Sequence, residues 1–234
     1  MTPDAFPAKL RSLPANGFSG VNVTLPHKIA ALKGMDTLDD VARRIGAVNT
    51  VIVKDDGTLH GSNTDAFGFM ANIADVQPDW VAEAGPAIVL GAGGAARAVC
   101  VALQDAGAPE IRVLNRTGGK AEDLATDLGV PLTVYDWEER RDVLQEGALL
   151  VTPTSLGMTG MAPLDLDLAA LPETANVCDI VYAPLETPLL AAARARGNPT
   201  IDGLGMLLHQ ARPGFEAWFG QAPDVTVDLR MEYN

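Results

Sequence analysis

Lys28 sits where a lysine is electrostatically out of place. Val21-Asn22-Val23-Thr24 alternates like a short strand, and Pro26 is the residue type favoured at the first position of a helix. That spacing predicts Lys28 in the first turn of the following helix, facing the positive end of its dipole. A cation there costs roughly a few tenths of a kcal/mol or more. Disfavouring the ammonium is one route to a lysine that gives and takes protons. The same pattern allows a surface lysine reaching into water, and Lys28 alone does not separate the two.

A second constellation is rich in glycine. Gly91-Ala92-Gly93-Gly94-Ala95-Ala96 follows the apolar run Ala87-Ile88-Val89-Leu90 and opens a helix-patterned segment, Gly94 to Asp105. A dinucleotide fingerprint needs that context. Gly91 suits the tight turn, Gly93 lets the backbone approach a pyrophosphate, and Ala96 takes the third position. The helix N-terminus then offers amides and a dipole to the anion. An NAD site calls for Asp or Glu about 20 residues on, to bind the ribose hydroxyls. This chain places Asn115-Arg116-Thr117 there, followed by Lys120. A guanidinium and a hydroxyl suit a 2′-phosphate, so NADP is the predicted cofactor. The alternative is that Arg116 and Lys120 form the solvated face of the next helix.

Gly20 to Lys28 resembles the GxNVTxPxK signature of the shikimate dehydrogenase family. Further blocks resemble that family's motifs in the same order. They are Arg44-Ile45-Gly46-Ala47-Val48-Asn49-Thr50, Gly61 to Gly68 with Asn63-Thr64-Asp65 inside, Gly91 to Ala95, Asn115-Arg116-Thr117, and Asp202 to Gln210. The resemblance implies NADPH-dependent, reversible reduction of 3-dehydroshikimate to shikimate, within aromatic amino-acid biosynthesis. A quinate-type variant and a cofactor-binding remnant without turnover are the alternatives.

By that resemblance Lys28 and Asp65 form the acid/base pair, and Thr24, Asn49, Asp65, Tyr182 and Gln210 meet the substrate. The implied cofactor contacts are Gly91, Ala92, Gly93, Gly94, Ala95, Asn115, Arg116, Thr117, Lys120, Ile180 and Gly203, with Asp40 near the nicotinamide end. Thr152-Pro153-Thr154-Ser155 resembles a nicotinamide-side loop that usually begins with Asn, and Thr152 departs from it. Read without the family, Asp65 is equally a helix cap, and Thr24 and Asn49 are strand-end turn residues. Tyr182 ends an apolar strand at the carboxyl edge where α/β sheets bind ligands. The family also opens on a βα segment with an S-x-S motif for the substrate carboxylate, which nothing here matches. Residues 1–6 already resemble the entry to the family's second helix. The implied gap is a βαβ-sized piece of about 30 residues or more, which would leave sheet edges exposed. Either the start lies further upstream or the protein is trimmed and its function impaired.

The elements that position these residues follow from the pattern. From Pro86 onward, apolar strands alternate with helix-patterned segments. Strands are predicted at Ala87–Leu90, Glu110–Leu114, near Leu132–Val134, at Leu149–Val151 and at Val177–Tyr182, with helices at Gly94–Asp105 and Gly119–Leu128. That series implies a parallel sheet flanked by helices. Before it, Thr50–Val53 and Thr58–His60 flank the hairpin signal Asp55-Asp56-Gly57. A helix follows from Thr64 or Asp65 to about Ala74, and a long one from Gly203 to about Phe219. The predicted fold is α/β: a Rossmann-like, doubly wound NADP domain over residues 77–205, and a smaller discontinuous substrate lobe from residues 1–76 and 206–234.

Composition agrees with an enzyme acting on small molecules. The 234 residues suffice for a substantial core, and 47% are hydrophobic against 20% charged. A formal charge of −13 argues against nucleic-acid or anionic-membrane binding and requires local cations for an anionic cofactor. Cys100 and Cys178 lack redox or metal-ligand spacing, and His27, His60 and His209 show no metal spacing, so buried thiols and no metal are expected. There is no membrane-length apolar run or signal-peptide core, which predicts a cytoplasmic protein, monomeric or homodimeric.

Overall fold

A computed structural model describes residues 2–129 and 132–232. The first part of the chain runs α1 (Phe6–Arg11), β1 (Gly20–Asn22), α2 (Lys28–Leu32), β2 (Thr37–Leu38), α3 (Asp40–Ile45), β3 (Thr50–Val53), β4 (Leu59–Ser62) and α4 (Asp65–Val76). The second runs β5 (Ala87–Leu90), α5 (Gly94–Asp105), β6 (Ile111–Leu114), α6 (Gly118–Leu128), β7 (Leu132–Tyr135), β8 (Leu149–Thr152), β9 (Asn176–Asp179), α7 (Pro188–Ala195) and β10 (Thr200–Ile201). Helices α8 (Leu204–Phe219) and α9 (Val227–Met231) return to the first part.

Six strands form a sheet in the order β10-β9-β8-β5-β6-β7, every neighbouring pair parallel. The order steps outward from β5 in both directions, which is the Rossmann doubly wound arrangement, and the reversal lies beside β5. Period-2 alternation supplies two cores. Val89, Val113 and Val151 face one layer with α4 and α5, whereas Ile88, Leu90, Leu114, Leu150 and Val177 face the other with α7. Both faces are covered, as parallel sheets require.

The other four strands order as β1-β3-β4-β2, antiparallel except for β2 beside β4. The Asp55-Asp56-Gly57 turn closes β3 onto β4, with Val53 opposite Leu59 and Gly57 at φ 80°. Helix α8 packs along α4 and reaches this sheet, where Trp218 Nε1 donates to the Val51 carbonyl at 3.1 Å. A third contact joins the two sheets' helices: Arg44 pairs with Asp105, and Ile45 and Ala47 pack on Ala98 and Val101.

Three predicted boundaries move. The strand expected through Thr24 ends at Asn22, because Thr24 uses its carbonyl to accept from the His27 amide at 2.9 Å in a turn. Pro26 therefore precedes helix α2 instead of opening it, and Lys28 is its first residue. Strand β9 stops at Asp179, three residues before Tyr182. The Asp179 carboxylate takes the Val181 amide and turns the chain off the sheet. Both cysteines are buried and unbridged, and burial pushes the Cys100 thiol up to about 12 and Cys178 up as well. Among the described residues no helix is long and apolar enough to cross a membrane.

Candidate active site

Lys28 and Asp65 meet. The Lys28 ammonium donates to Asp65 Oδ2 at 2.7 Å and Oδ1 at 2.9 Å. The Asp65 side chain is fully buried, and that of Lys28 is 12% exposed. Burying a carboxylate is costly unless every lone pair is used. Asn49 Nδ2 supplies a second donor to Asp65 Oδ1 at 2.8 Å. Asn49 is itself fixed, its Oδ1 accepting from the Thr64 amide at 2.9 Å and from Thr50 Oγ1 at 2.9 Å. Thr64 Oγ1 then donates to the Gln210 carbonyl at 2.7 Å, tying α8 to the start of α4.

Asp65 is therefore not the cap of α4. Thr64 occupies the cap position and Asp65 is the first helical residue, its carboxylate committed to Lys28 and Asn49. The counter-charge of Lys28 is this carboxylate, a stronger local field than the end of the five-residue helix α2.

A cavity of about 240 Å³ opens over the pair, lined by Asn22, Val23, Thr24, Lys28, Asn49, Tyr182, Leu207, Gln210 and Ala211. It collects four of the five predicted substrate residues, Thr24, Asn49, Tyr182 and Gln210; the fifth, Asp65, is fully buried and does not line it, bonding instead to Lys28 and Asn49, which do. Asn22 was not among the predicted residues, although it belongs to the same motif and its Nδ2 reaches the Asn49 carbonyl at 3.4 Å. A larger cavity, about 540 Å³, lies across the Val23–His27 segment against α1; Phe6, Leu10, Leu13 and Phe18 make it apolar, and it holds no acid/base pair.

The predicted cofactor residues other than Asp40 follow strands at the carboxyl end of the parallel sheet. Gly91 has φ 142°, and a Cβ there would come within 2.9 Å of Thr154 Cγ2. A Cβ on Gly93 would meet nothing, so the N-terminus of α5 is open to a pyrophosphate. Asn115 and Arg116 share a cleft with Gly91, Trp137, Thr154 and Ser155. Arg116 and Lys120 are exposed and make no ion pair among the described residues, which leaves both cations available to a 2′-phosphate. Gly203 backs onto Ile180, where a Cβ would fall 2.1 Å from the Ile180 carbonyl oxygen. Gly94 touches the other site: its Cβ would lie 3.1 Å from Lys28 Cβ. The start of α5, where a pyrophosphate would sit, thus abuts Lys28. Asp40 is not brought to either cavity; its side chain is 96% exposed and pairs with Arg43 one turn on. Trp137 lines the cleft without having been predicted, and so do Thr154 and Ser155 of the loop that resembles the nicotinamide side, for which no contact was assigned.

Comparisons with known proteins match both halves of this arrangement. The family models "Shikimate dehydrogenase substrate binding domain", "Shikimate / quinate 5-dehydrogenase" and "Shikimate 5'-dehydrogenase C-terminal domain" match residues 1–51, 80–159 and 203–230. The shikimate dehydrogenase (NADP(+)) of Paramagnetospirillum magneticum is 60% identical over 230 residues, 98% of this chain and 83% of that protein. Among solved structures, the shikimate 5-dehydrogenase of Thermus thermophilus, in complex with NADP(H) and shikimate, is 40% identical with a TM-score of 0.82. The match covers 96% of this chain and 81% of that one. A quinate dehydrogenase from Corynebacterium glutamicum in complex with NAD is 33% identical with a TM-score of 0.86, over 97% and 81% of the two chains. A lysine–aspartate pair under a small polar cavity, a glycine turn aimed at that pair and this likeness along nearly the whole length have one reading in common: the chain belongs to the shikimate dehydrogenase family.

Proposed function

We propose that the protein is an NADP-dependent shikimate dehydrogenase, reversibly reducing 3-dehydroshikimate to shikimate. The observation that carries this reading is the buried Lys28–Asp65 pair, placed against Gly94 at the start of the nucleotide-binding helix. Residues 1–76 and 206–234, joined by Tyr182, hold the ring substrate, and residues 77–205 hold the cofactor. Its pyrophosphate meets the Gly91–Ala95 turn, and its 2′-phosphate meets Arg116, Thr117 and Lys120. Bound NADPH supplies the hydride that converts the ring carbonyl to a secondary alcohol.

The chain's own residues manage the proton. Lys28, which lines the cavity, gives a proton from Nζ to the substrate oxygen on reduction and recovers it on oxidation. Asp65 orients the Lys28 ammonium through both carboxylate oxygens and accepts from a ring hydroxyl. Asn49, Thr24, Tyr182 and Gln210 offer further donors and acceptors to a polyhydroxylated ring. Removing water from this group strengthens each of these bonds.

The test offers the purified protein two ring ketones, 3-dehydroshikimate and 3-dehydroquinate, each with NADPH and NADH, and follows loss of reduced cofactor. The expected order has 3-dehydroshikimate with NADPH fastest. Faster turnover of 3-dehydroquinate with NADH would assign the chain to quinate chemistry. NADPH binding with no turnover of either ketone would make it a cofactor-binding remnant.

A further inference from the structure

A buried carboxylate lies outside the acid/base pair. Asp179, at the end of β9, is 2% exposed and touches neither cavity. Its Oδ1 accepts from the Val181 amide at 3.1 Å, and its Oδ2 accepts from Thr187 Oγ1 at 2.8 Å. Thr187 is fully buried and also caps the eight-residue helix α7, accepting from the Leu190 amide at 3.3 Å. One carboxylate thereby cross-links the two ends of the loop 180–186. The middle of the loop is fastened separately. The Ala183 carbonyl accepts from the Thr159 amide at 2.8 Å and from Thr159 Oγ1 at 3.0 Å, and Gly203 donates its amide to the Val181 carbonyl at 3.2 Å. The aromatic ring carried by this loop is Tyr182, 40% exposed and lining the cavity with Lys28, Asn49 and Gln210.

We propose that Asp179 and Thr187 are positioning residues for the reaction, a latch that holds the 180–186 loop so that Tyr182 closes over the substrate. The inference rests on the reading that this cavity takes the ring substrate. Burial holds the Asp179 carboxyl above its ordinary range, an effect that the hydroxyl of Thr187, the Val181 amide and the side chain of Thr152 only partly offset. A capping role alone is met as well by an uncharged side chain, without the desolvation cost of a carboxylate. A carboxylate accepting at both oxygens instead fixes the direction of both bonds, because it has no donor with which to rearrange.

The test compares kinetics of Asp179→Asn, Thr187→Val, Thr187→Ser, Tyr182→Ala and the double variant Asp179→Asn/Tyr182→Ala. Asp179→Asn and Thr187→Val should each raise KM for 3-dehydroshikimate about tenfold and leave KM for NADPH within about twofold. Thr187→Ser, which keeps the hydroxyl, should behave as the wild type. In the Tyr182→Ala background, Asp179→Asn should change the substrate KM no further, since the side chain it positions is gone. A lower melting temperature with unchanged KM in Asp179→Asn, or full additivity in the double variant, would overturn the latch. So would equal KM values for Thr187→Val and Thr187→Ser, a comparison that stands even if the Asp179 variant fails to fold. If Tyr182→Ala itself left KM unchanged, or the wild type did not reduce 3-dehydroshikimate, the substrate-site reading would fall and the latch with it. If Tyr182→Ala raised KM while Asp179→Asn did not, the latch alone would fall.

Discussion

An ammonium and a carboxylate drawn out of water need more than each other. Asp65 is fully buried, and its second partner, Asn49, is anchored through Thr50 and Thr64. That network lets one charge pair sit beneath a cavity without paying for an unmet lone pair. The place of Lys28 after Pro26 left a surface lysine open, and the family motifs were what paired Lys28 with Asp65. Asp65 alone reads equally as a cap, because a carboxylate at the start of a helix has two uses and sequence spacing does not choose between them. Asp40 shows the converse. Its motif position suggested the nicotinamide, yet the side chain points into water and pairs with Arg43. On the cofactor side, Arg116 has no competing carboxylate among the described residues. NADPH should bind more tightly than NADH, and Arg116→Ala should narrow that gap by roughly 1–3 kcal/mol, as titrations of both cofactors will register. Equal affinity for both in the wild type would contradict this.

Elements set these side chains by close approach. Helices α4 and α8 carry Asp65 and Gln210, and they touch at glycine. A Cβ on Gly68 would lie 2.8 Å from Gln210 Cβ and 2.8 Å from the Met206 carbonyl oxygen. Gly205 is tighter, with Asn72 Oδ1 only 1.8 Å from its would-be Cβ. Gly68→Ala should therefore cost about 1–3 kcal/mol of stability in denaturant titrations. It should also raise KM for the ring substrate more than for NADPH, because the displaced residue is Gln210. The extents of α5 and α8 were readable to within a residue, since glycines mark their starts and apolar periodicity runs through them. The end of β9 was not. Cys178, Ile180 and Val181 continue an apolar run, and only the hydrogen bond of Asp179 to its own Val181 amide shows why the chain leaves the sheet. Tyr182 thus reaches the cavity from a loop and not from a strand end.

At the scale of the molecule, the βαβ alternation after Pro86 specified five of the six parallel strands and helices α5 and α6, because buried parallel strands read as continuous apolar runs; α7 and the two-residue edge strand β10 were not read. The four-stranded sheet was less legible. Strand β1 showed only as the brief alternation at Val21–Thr24, and β2, two residues long, is too short for a period to register; it joins β4 in parallel only after the chain has passed through α3 and β3. What makes the two sheets one catalyst is the contact between them. Arg44 pairs with Asp105, Arg97 donates to the Ile45 carbonyl at 3.3 Å, and Gly94 abuts Lys28. A net charge of −13 offers no general attraction to an anionic cofactor, so the proposed function relies on the α5 terminus and the Arg116–Lys120 segment to hold it locally.

The central claim is that Lys28 moves the proton. The direct measurement is kcat for 3-dehydroshikimate reduction by Lys28→Ala and Lys28→Arg, with NADPH affinity measured on the same samples to show that the fold and cofactor site persist. Lys28→Ala should lose about 10²–10⁴ in kcat with NADPH affinity nearly unchanged, the scale of a missing general acid. Arginine keeps the charge opposite Asp65 but gives up no proton at working pH, so Lys28→Arg should be comparably slow. Near-full turnover by Lys28→Arg would make the lysine a charge anchor and contradict the mechanism.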